Sequence, residues 1–473
     1  MPCAVAAAIF LSGCVSLAPT YQRPPSPVAA QWRDGAAGGS GDRAVADIGW
    51  QELFRDARLR QVITLSLDHN RDLRLALLDI ERASAEYRIE RADGFPAIDA
   101  DVGASASHTP AALTSSGRVK VSHAYTATVG FSSYELDLFG RFRSLRDAAL
   151  ETFFAAAETQ RSTRLSLVAE VAGNWLTLAA DRRRLALAQQ TLTSQRETLR
   201  LTESQYAQGL VSALNLAQVQ ISVESARAEA ARYTAQIEQD QNALELVVGT
   251  SVPVLLLPAT IEPEPVVLAS PPAGLDSSVL LQRPDVMAAE HALRAANADI
   301  GAARAAFFPA LSLTASAGRG SDALSNLLGG ESRSWSFAPS ISVPIFNAGA
   351  LRAGLKKSQV ERDAAVVRYE KTIQTAFSEV ADALAVRETL QEQLAAQQAL
   401  VAAASRAYTL ADARYRSGVD SYLDALDAQR SLYAAQQNLI TLELTEQRSR
   451  VTLYKVLGGG AGAQSPLPAV PNR

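Results

Sequence analysis

The stretch SWSFAPSISVPIF, residues 334–346, decides how this chain is interpreted. Every second residue is large and apolar or is proline, and the residues between them are mostly serine or alanine. The apolar set is Trp335, Phe337, Pro339, Ile341, Val343 and Ile345. A period of two is typical of a β-strand with one apolar face and one small polar face. Most of the surrounding chain is rich in Ala, Leu, Gln, Glu and Arg, which favour helices. The sequence therefore predicts a few two-faced strands within a mainly helical protein.

Composition limits the classes of function. The chain has 473 residues, of which 48% are hydrophobic, enough for a large core. Its net charge of −4 argues against a nucleic-acid partner, because such binding depends on neutralising phosphates. Beyond residue 18, no apolar run has the length of a transmembrane helix. The four histidines lack metal-ligand spacing, and no phosphate-binding loop or nucleophile motif is found. We therefore predict neither an enzyme nor a metal or cofactor site.

The chain opens with an apolar segment that ends in LSGC at residues 11–14. Small residues before a cysteine, after an apolar run, are typical of a bacterial lipoprotein precursor. In such a precursor the signal peptide, here 1–13, is removed and Cys14 carries a covalent lipid such as palmitate. The leader has no Lys or Arg, unlike most such leaders, and an ordinary cleaved signal is the alternative. The residue after Cys14 is Val15, whereas lipoproteins retained in the inner membrane usually have Asp at this position. The sequence therefore resembles lipoproteins that are sorted to the outer membrane. Residues 14–45, rich in Pro, Gly and Ala, are predicted to form an extended tether.

The two halves of the chain repeat each other. The repeated motifs are EVA at 170–172 and 379–381, YAQG at 206–209 and YRSG at 415–418, and VG at 248–249 and LG at 457–458. Each pair is separated by the same distance, so about 80 residues align without a gap. Upstream, Phe95-Pro96 matches Phe308-Pro309 and Leu138-Phe139 matches Ile345-Phe346, at slightly different offsets. Each half is predicted to contain a helix, two strands, a very long helix, a tight break and a further helix.

Four strands are predicted, at residues 98–107, 124–136, 310–318 and 334–346. Their length of about ten residues and their alternation suit the tilted strands of an outer-membrane β-barrel. Four strands cannot close a barrel, and an open sheet would leave unpaired backbone groups in lipid, at several kcal/mol each. Several chains sharing one barrel would solve this problem, and three copies would supply about twelve strands.

In such a barrel, one face of the last strand would contact lipid and its serines would face the pore. The residues predicted to face lipid are Trp335, Phe337, Ile341, Val343 and Ile345. Pro339 and Pro344 fit a strand poorly, because proline donates no hydrogen bond to a β-ladder. The alternative is an antiparallel sheet in a soluble domain, because the sequence signal of each barrel strand is weak.

The helices are too long for a bilayer. Residues 141–205 contain no proline and one glycine, and they would extend roughly 95 Å as one helix. Apolar residues within this helix and the next recur at alternating spacings of three and four, which predicts coiled-coil packing. They are Leu165, Val168, Ala172, Trp175 and Ala179, and then Ala226, Ala230, Tyr233 and Ile237. The charged residues and glutamines between them predict a water-exposed helical wall.

The segment LLQRPDVMAAEHALRAANADIGAARAAFFPALSLTASAG, residues 280–318, resembles the signature region of the outer-membrane factor family, the TolC-like channels, in its lipoprotein efflux branch. Residues 19–32, 134–141 and 421–436 also fit, so the resemblance covers nearly the whole mature chain. It implies a homotrimer in which a twelve-stranded outer-membrane barrel continues into a periplasmic α-helical tunnel. It also implies docking to a periplasmic adaptor, or membrane fusion, protein and to an inner-membrane pump of the RND type.

The two Tyr-x-x-Gly breaks predict the tips of helix hairpins. Gly209 and Gly418 can adopt the left-handed conformation that ends a helix. Ser212 and Ser421 stand where an N-cap residue begins the next helix. In the family that this chain resembles, such tips form the closed periplasmic end and the docking site of the adaptor.

Asp424 and Asp427 lie one helical turn apart, and they match the aspartates that ring the tunnel entrance in the family. In a trimer they would form rings of carboxylates that favour cations. The alternative is a capping box between Ser421 and Asp424, with Asp427 solvated near a helix N-terminus.

Tyr415 matches a family tyrosine that holds the tips shut by hydrogen bonding between helices. The family partner is an aspartate, and here Asn215 stands in its place, so the latch would lack charge assistance. Asp420 replaces a basic residue found in one branch of the family. The alternative role for Tyr415 is a packing aromatic at a helix end.

We therefore predict the passive outer-membrane duct of a tripartite efflux system for drugs or other small toxic solutes, lipid-anchored and extending into the periplasm. The alternatives are a type I protein-secretion duct and a lipid-anchored, non-conducting periplasmic coiled-coil scaffold. The predicted boundaries are a signal peptide at 1–13, a tether at 14–45, an equatorial segment and first tunnel helix at 46–97, a barrel hairpin at 98–136, long tunnel helices at 137–250, an equatorial connector at 251–276, a tunnel helix at 277–309, a second hairpin at 310–346, long tunnel helices at 347–458 and a tail at 459–473.

Overall fold

The structure is a computed structural model that describes residues 16–32, 45–259, 266 and 275–460. The predicted signal peptide, Cys14 and nearly all of the predicted tail lie outside the described residues. The α-helices are α1 Trp50–Leu53, α2 Ala57–His69, α3 Arg71–Ala92, α4 Arg141–Ala207, α5 Ala213–Val248, α6 Pro284–Ala305, α7 Ala350–Arg416 and α8 Tyr422–Val456. The strands are β1 Asp99–Thr109, β2 Lys120–Leu136, β3 Ala310–Ser321 and β4 Arg333–Ser342. Single turns of 3₁₀ helix span Val45–Asp47, Ala111–Leu113, Val254–Leu256, Leu324–Asn326 and Gly330–Ser332, and a longer one spans Ser277–Gln282.

The structure confirms the internal duplication. The helices α4 and α7 each have 67 residues, and α3 and α6 each have 22. Each 67-residue helix begins after a glycine with positive φ, at Gly140 and Gly349. The apolar positions predicted to pack in α4 are buried, and so are three of the four in α5; Ala230 is partly buried. None of the helices in the described part of the chain combines the length and the apolar content that a bilayer crossing requires.

The four strands form one antiparallel sheet in the order β1-β2-β3-β4. Its register separates the two faces. Ala317 lies opposite Trp335 and Ala315 opposite Phe337, whereas Ser316 lies opposite Ser336 with their hydroxyl oxygens 2.8 Å apart. Since directly paired residues project to the same side, one face of the sheet is apolar and the other is lined by small polar residues.

The last strand ends earlier than the sequence predicts. β4 stops at Ser342, which pairs with Ala310 at the start of β3. Val343 and Ile345, expected within the strand, therefore lie beyond it. The physical reason is that β3 offers no partner there within the chain, and Pro344 has no N–H to donate. Pro339 is accommodated on an edge strand, opposite Leu313.

The sheet has no hydrophobic layer of its own. Every residue of β4 is exposed, as is nearly every residue of β1, and no buried hydrophobic residue lies on any of the strands. The core instead surrounds the middle of α4, at Trp175, and includes Tyr369 of α7 and Tyr454 of α8; all three side chains are almost completely buried. There the indole of Trp175 donates to the carbonyl of Leu256 at 3.1 Å, which fixes the connector against α4.

The described part of the N-terminal segment, residues 16–32, lies against the helices and is not a free tether. Arg23 and Arg294 both bond the buried carboxylate of Glu290 on α6. Farther along, Trp32 stacks on Phe377 with ring centroids 4.9 Å apart, and its indole donates to the Phe377 carbonyl. The prediction of an extended tether missed these contacts because they depend on partners more than 250 residues away. We call residues 16–32 the N-terminal strap.

Two carboxyl groups meet between α4 and α5. Asp181 is buried and bonds Arg184, with Nη1 2.6 Å from the carboxylate, while Gln236 donates to Asp240 at 2.9 Å. Burial raises the pKa of Asp240 to about 6, and the neighbouring Asp181 adds to the rise. The folded protein therefore holds a proton on Asp240 more tightly than the unfolded chain does.

We expect Asp240→Asn to stabilise the protein at pH 7.5 and to do so by about half as much at pH 5. The folded-state pKa is raised, so this carboxyl opposes folding increasingly as the pH rises from about 4 to about 6, and by a nearly constant amount above that. Partial exposure screens the effect, which leaves about 1 kcal/mol at neutral pH. The measurement is the apparent Tm of the wild type and the variant in detergent at both pH values. An equal difference at the two pH values would contradict the assignment.

Candidate functional site

Both helix hairpins have the same turn at their tips. Gly209 and Gly418 have φ of 76° and 72°, in the left-handed region predicted for them. The N–H of Gly209 donates to the Tyr206 carbonyl, and that of Leu210 to the Gln205 carbonyl, both at 2.9 Å. The second tip repeats this pair of bonds at the same distances. The two bonds form a Schellman motif, which satisfies carbonyls that the end of a helix would leave unpaired.

The two serines that follow the turns behave differently. Ser212 is the N-cap of α5, and its hydroxyl oxygen accepts a hydrogen bond from the Asn215 N–H at 3.2 Å. Ser421 occupies the N-cap position of α8, but its hydroxyl makes no cap hydrogen bond with the helix backbone. It donates to the Asp424 carboxylate at 2.7 Å instead. Only part of a capping box is therefore present at Ser421 and Asp424, because the bond joins two side chains.

A small apolar cluster attaches the second tip to the first hairpin. It consists of Val219, Tyr422 and Leu426, with Leu199 and Tyr415 packed against it. The ring of Tyr415 meets that of Tyr422 edge-on, with centroids 5.3 Å apart. The Tyr422 hydroxyl donates to Gln195 at 3.2 Å, and burial raises the pKa of Tyr422.

The cluster bears on the predicted latch. Within the chain, Tyr415 packs against Tyr422, and the Asn215 side chain accepts a hydrogen bond from Ser212 at 3.2 Å. The pair that the sequence predicts between Tyr415 and Asn215 is therefore not formed within one chain. The alternative role of Tyr415, a packing aromatic at a helix end, agrees with the contacts observed.

Asp424 and Asp427 lie on the exposed side of α8. The neighbouring residues that point inward are buried against the first hairpin; they are Tyr422, Ala425 and Leu426. The two carboxylates therefore share one exposed face of the helix, as their spacing predicts. Both project away from the body of the hairpin pair.

The sequence reasoning missed Arg414. Its guanidinium bonds both carboxylate oxygens of Asp420 across the second tip, with Nη2 2.8 Å from Oδ1. Bonding to Arg414 holds the pKa of Asp420 below its usual range. Asp424 also lies close enough to add to the raised pKa of Arg414. The first tip has Gln205 and Val211 at the matching positions, so it lacks this ion pair. Comparing the two tips position by position would have revealed the asymmetry from sequence.

Exposed apolar side chains also mark both tips, at matching positions of the two copies. They are Leu201, Leu210 and Leu214 in the first hairpin and Leu410, Val419 and Leu423 in the second. Exposed leucines and valines at repeated places form a surface suited to contact with another protein.

We expect Arg414→Gln to loosen the second tip selectively. Exposed ion pairs contribute little, so amide hydrogen exchange should rise roughly two- to five-fold around the second tip. Hydrogen-exchange mass spectrometry follows peptides covering 205–215 and 414–424 of the same sample. The first tip is the internal control, because glutamine already occupies position 205. Equal acceleration of both tips, or of neither, would contradict a local role for this ion pair.

Comparison with known proteins places the chain in a family. The family model described as outer membrane efflux protein matches residues 62–250 and 275–459. The toluene efflux pump outer membrane protein TtgC of Pseudomonas putida is 48% identical over 457 residues, covering 96% of this chain and 94% of that protein. The outer membrane protein OprJ of Pseudomonas aeruginosa is 44% identical over 453 residues, with coverage of 96% and 94%.

Solved structures agree. A membrane protein from Pseudomonas aeruginosa superposes with a TM-score of 0.90 at 43% identity, covering 96% of this chain and all of that one. The open state of the MtrE outer membrane channel of Neisseria gonorrhoeae gives a TM-score of 0.85 at 36% identity, with coverage of 94% and 99%. The match spans both copies of the repeat, the sheet and the long helices, and the chain belongs to the outer membrane efflux protein family.

Proposed function

We propose that the chain is the exit duct of a tripartite efflux system and that three copies form it. The observation that carries this proposal is a long two-faced sheet that is directly continuous with helices of 67 residues. Within the described part of the chain, no apolar layer packs on either side of the sheet and its two edges are open. Three such sheets joined edge to edge give a barrel of about twelve strands. Its apolar face meets lipid, and its serine face lines the pore. Trp335, Phe337 and Ile341 carry the lipid contact on β4.

The long helices extend this pore through the periplasm. Their buried seams and polar outer positions suit a wall with water on both sides. The duct provides a path and performs no chemical step, so the energy for transport comes from an inner-membrane pump. The exposed apolar residues at the hairpin tips are the surface on which a periplasmic adaptor docks. Gly209 and Gly418 shape that surface through their left-handed turns.

The class of solute follows from the relatives. Their names describe pumps for toluene, for solvents and for antibiotics. We propose small toxic compounds of this kind for the present chain. The relatives' names refer to efflux, which favours this role over protein secretion.

We propose further that Cys14 carries a lipid at the base of the barrel. The carbonyl of Leu17 accepts from Arg304 at 3.0 Å, and that of Pro19 accepts from Asn297 at 2.7 Å. These bonds place the start of the N-terminal strap beside the last turns of α6, just before β3 begins. A lipid three residues before Leu17 would therefore reach the periplasmic surface of the outer membrane.

We expect Cys14→Ser to lose palmitate labelling and yet to remain in the outer-membrane fraction after a carbonate wash. The barrel holds the protein in the membrane without the lipid, because its strand edges are paired within the trimer and its apolar face is shielded from water only in lipid. Release of the variant into the wash would contradict the barrel and support a lipid-tethered scaffold. An unlabelled wild-type protein would contradict lipidation alone.

We expect Asp424→Asn/Asp427→Asn to reduce the cation preference of the channel. The substitution keeps side-chain size and removes the carboxylates that attract cations. The measurement is the reversal potential of the purified trimer in a planar bilayer under a salt gradient. The matching positions of the first tip are neutral, so Asn215→Asp/Gln218→Glu is the reciprocal variant and should increase the preference.

The outcomes separate two levels of the proposal. An intact reconstituted trimer that carries no current would contradict the duct itself. Conducting trimers with unchanged selectivity in both variants would contradict the aspartate ring and leave the duct standing.

A further inference from the structure

One contact between the two copies within one chain lies where the strands meet the helices. Phe139, which follows β2, stacks on Phe308, which follows α6, with ring centroids 4.6 Å apart and an interplanar angle of 22°. Just beside this stack, Leu136 of β2 pairs with Leu311 of β3. One strand pair and one aromatic stack thus join the end of the first hairpin to the start of the second.

The repeat places the same residue types at the two free edges. LDLF at 136–139 matches VPIF at 343–346, and FPAL at 308–311 matches FPAI at 95–98. Phe346 and Phe95 therefore correspond to the stacked pair, and Val343 and Ile98 to the paired leucines. All four side chains are open to solvent in the single chain, with Phe346 88% and Phe95 65% exposed.

The free strands are also shorter than their counterparts at this end. β2 runs to Leu136, whereas β4 stops at Ser342, one residue before the matching Val343. β1 begins at Asp99, one residue after Ile98, although the residue matching Ile98, Leu311, is paired within β3. Val343 and Ile98 therefore lack the strand pairing that their counterparts Leu136 and Leu311 make inside the chain.

We propose that a second copy of the chain completes this junction. Val343 of one copy pairs with Ile98 of the next, and Phe346 stacks on Phe95 of the next, which reproduces the contact inside each chain. The inference rests on the proposed shared barrel and adds its register and the residues that close it. The same contact then recurs at every boundary around the ring.

The faces of the sheet support this register. Val343 continues the apolar alternation of Trp335, Phe337 and Ile341, and Ile98 continues that of the apolar face of β1. Pairing the two keeps the apolar face continuous across the boundary. A shift by one residue would place Ser342 opposite Ile98 and would turn one strand inside out relative to the other.

The correspondence is limited to the junction. Between α4 and α6 the inner contact includes Ala148 and Ala295, whereas the matching positions in the outer helices are Lys357 and Arg82. Those helix surfaces must therefore pack with different chemistry. At the strand end and the aromatic pair, the free edges have the same residue types as the inner junction, and there these side chains are exposed.

The experiment is disulfide cross-linking of Ile98→Cys/Val343→Cys in outer membranes. The chain has only Cys3 and Cys14 besides these, so few other thiols compete. Directly opposed residues of antiparallel strands bring their Cα atoms within the range that a disulfide bridges. We expect covalent dimers and trimers on a gel without reductant and monomers with it.

Two matched variants control the result. Leu136→Cys/Leu311→Cys should oxidise within one chain and leave the apparent mass unchanged. Ile98→Cys/Ser342→Cys should fail to cross-link, because the two side chains lie on opposite faces. Absence of covalent trimers in the test variant while the leucine pair oxidises would overturn the register, as would equal linking of the Ser342 variant. If trimers of the test variant conduct ions although they are not cross-linked, the proposed duct stands without this register.

The aromatic stack is tested by a double-substitution cycle. Phe95→Ala and Phe346→Ala should each lower the temperature at which the trimer dissociates in detergent. The double variant should lose no more than the larger single effect, since the two rings share one contact. Ile345→Ala is the control, because Ile345 is just as exposed but matches Leu138, which lies outside the inner stack. Additive losses, or an equal loss in the control, would overturn the stack.

Discussion

The unpaired backbone groups at the two edges of the sheet set the constraint on which the rest of the structure depends. Strands of 10 to 17 residues form a ladder that ends at β1 and β4. Among the residues that the structure describes, none pairs with these two edges and no apolar layer covers either face. In water such edges pair with other chains, and in lipid each unpaired group costs several kcal/mol. The molecule therefore depends on pairing β4 with β1 of another copy. The duplication makes this possible, because each free edge of the sheet already has one half of the contact that joins β2 to β3.

A sheet that has no core must be positioned from elsewhere. The core does this, because it packs buried residues of α4, α7 and α8 against shorter segments that include α2 and the N-terminal strap. Arg283, almost entirely buried, donates to the last carbonyl of α8 and to Glu379 of α7, both at 2.8 Å. The N-terminal strap joins α6 and α7 through Glu290 and Phe377. Gly301 of α6 leaves room for the strap, since a Cβ there would lie 2.8 Å from Ala18. The strands are thus held at the ends of helices that are fixed near their middles.

Local periodicity predicted the elements well, because each strand and long helix follows one repeating pattern. Alternation identified all four strands, and the absence of proline identified α4 to within two residues of its end. What failed depended on partners distant in sequence. β4 ends opposite the residue at which β3 begins, which alternation in residues 334–346 cannot show. The strap was predicted as a tether because its composition is that of a linker, while its contacts come from single residues such as Arg23 and Trp32. Arg414 escaped notice because its pairing with Asp420 requires the tip to be folded.

The two tips show what duplication permits. Both have the same Schellman turn, yet Arg414, Asp420, Asp424 and Asp427 stand where the first copy has Gln205, Val211, Asn215 and Gln218. The backbone motif is therefore retained while the charge at these four positions is confined to the second copy. In the proposed ring of three chains, these charged positions alternate with neutral ones. This arrangement keeps the carboxylates of neighbouring charged tips farther apart than they would be if all six tips were acidic. The repulsion between the tips therefore stays small when they converge, and the electrostatic potential along the axis remains negative. Arg414 reduces this repulsion further, because it neutralises Asp420 and faces Asp424. Two unequal copies of one hairpin would thus give the proposed tunnel entrance an acidic ring with limited repulsion between its tips.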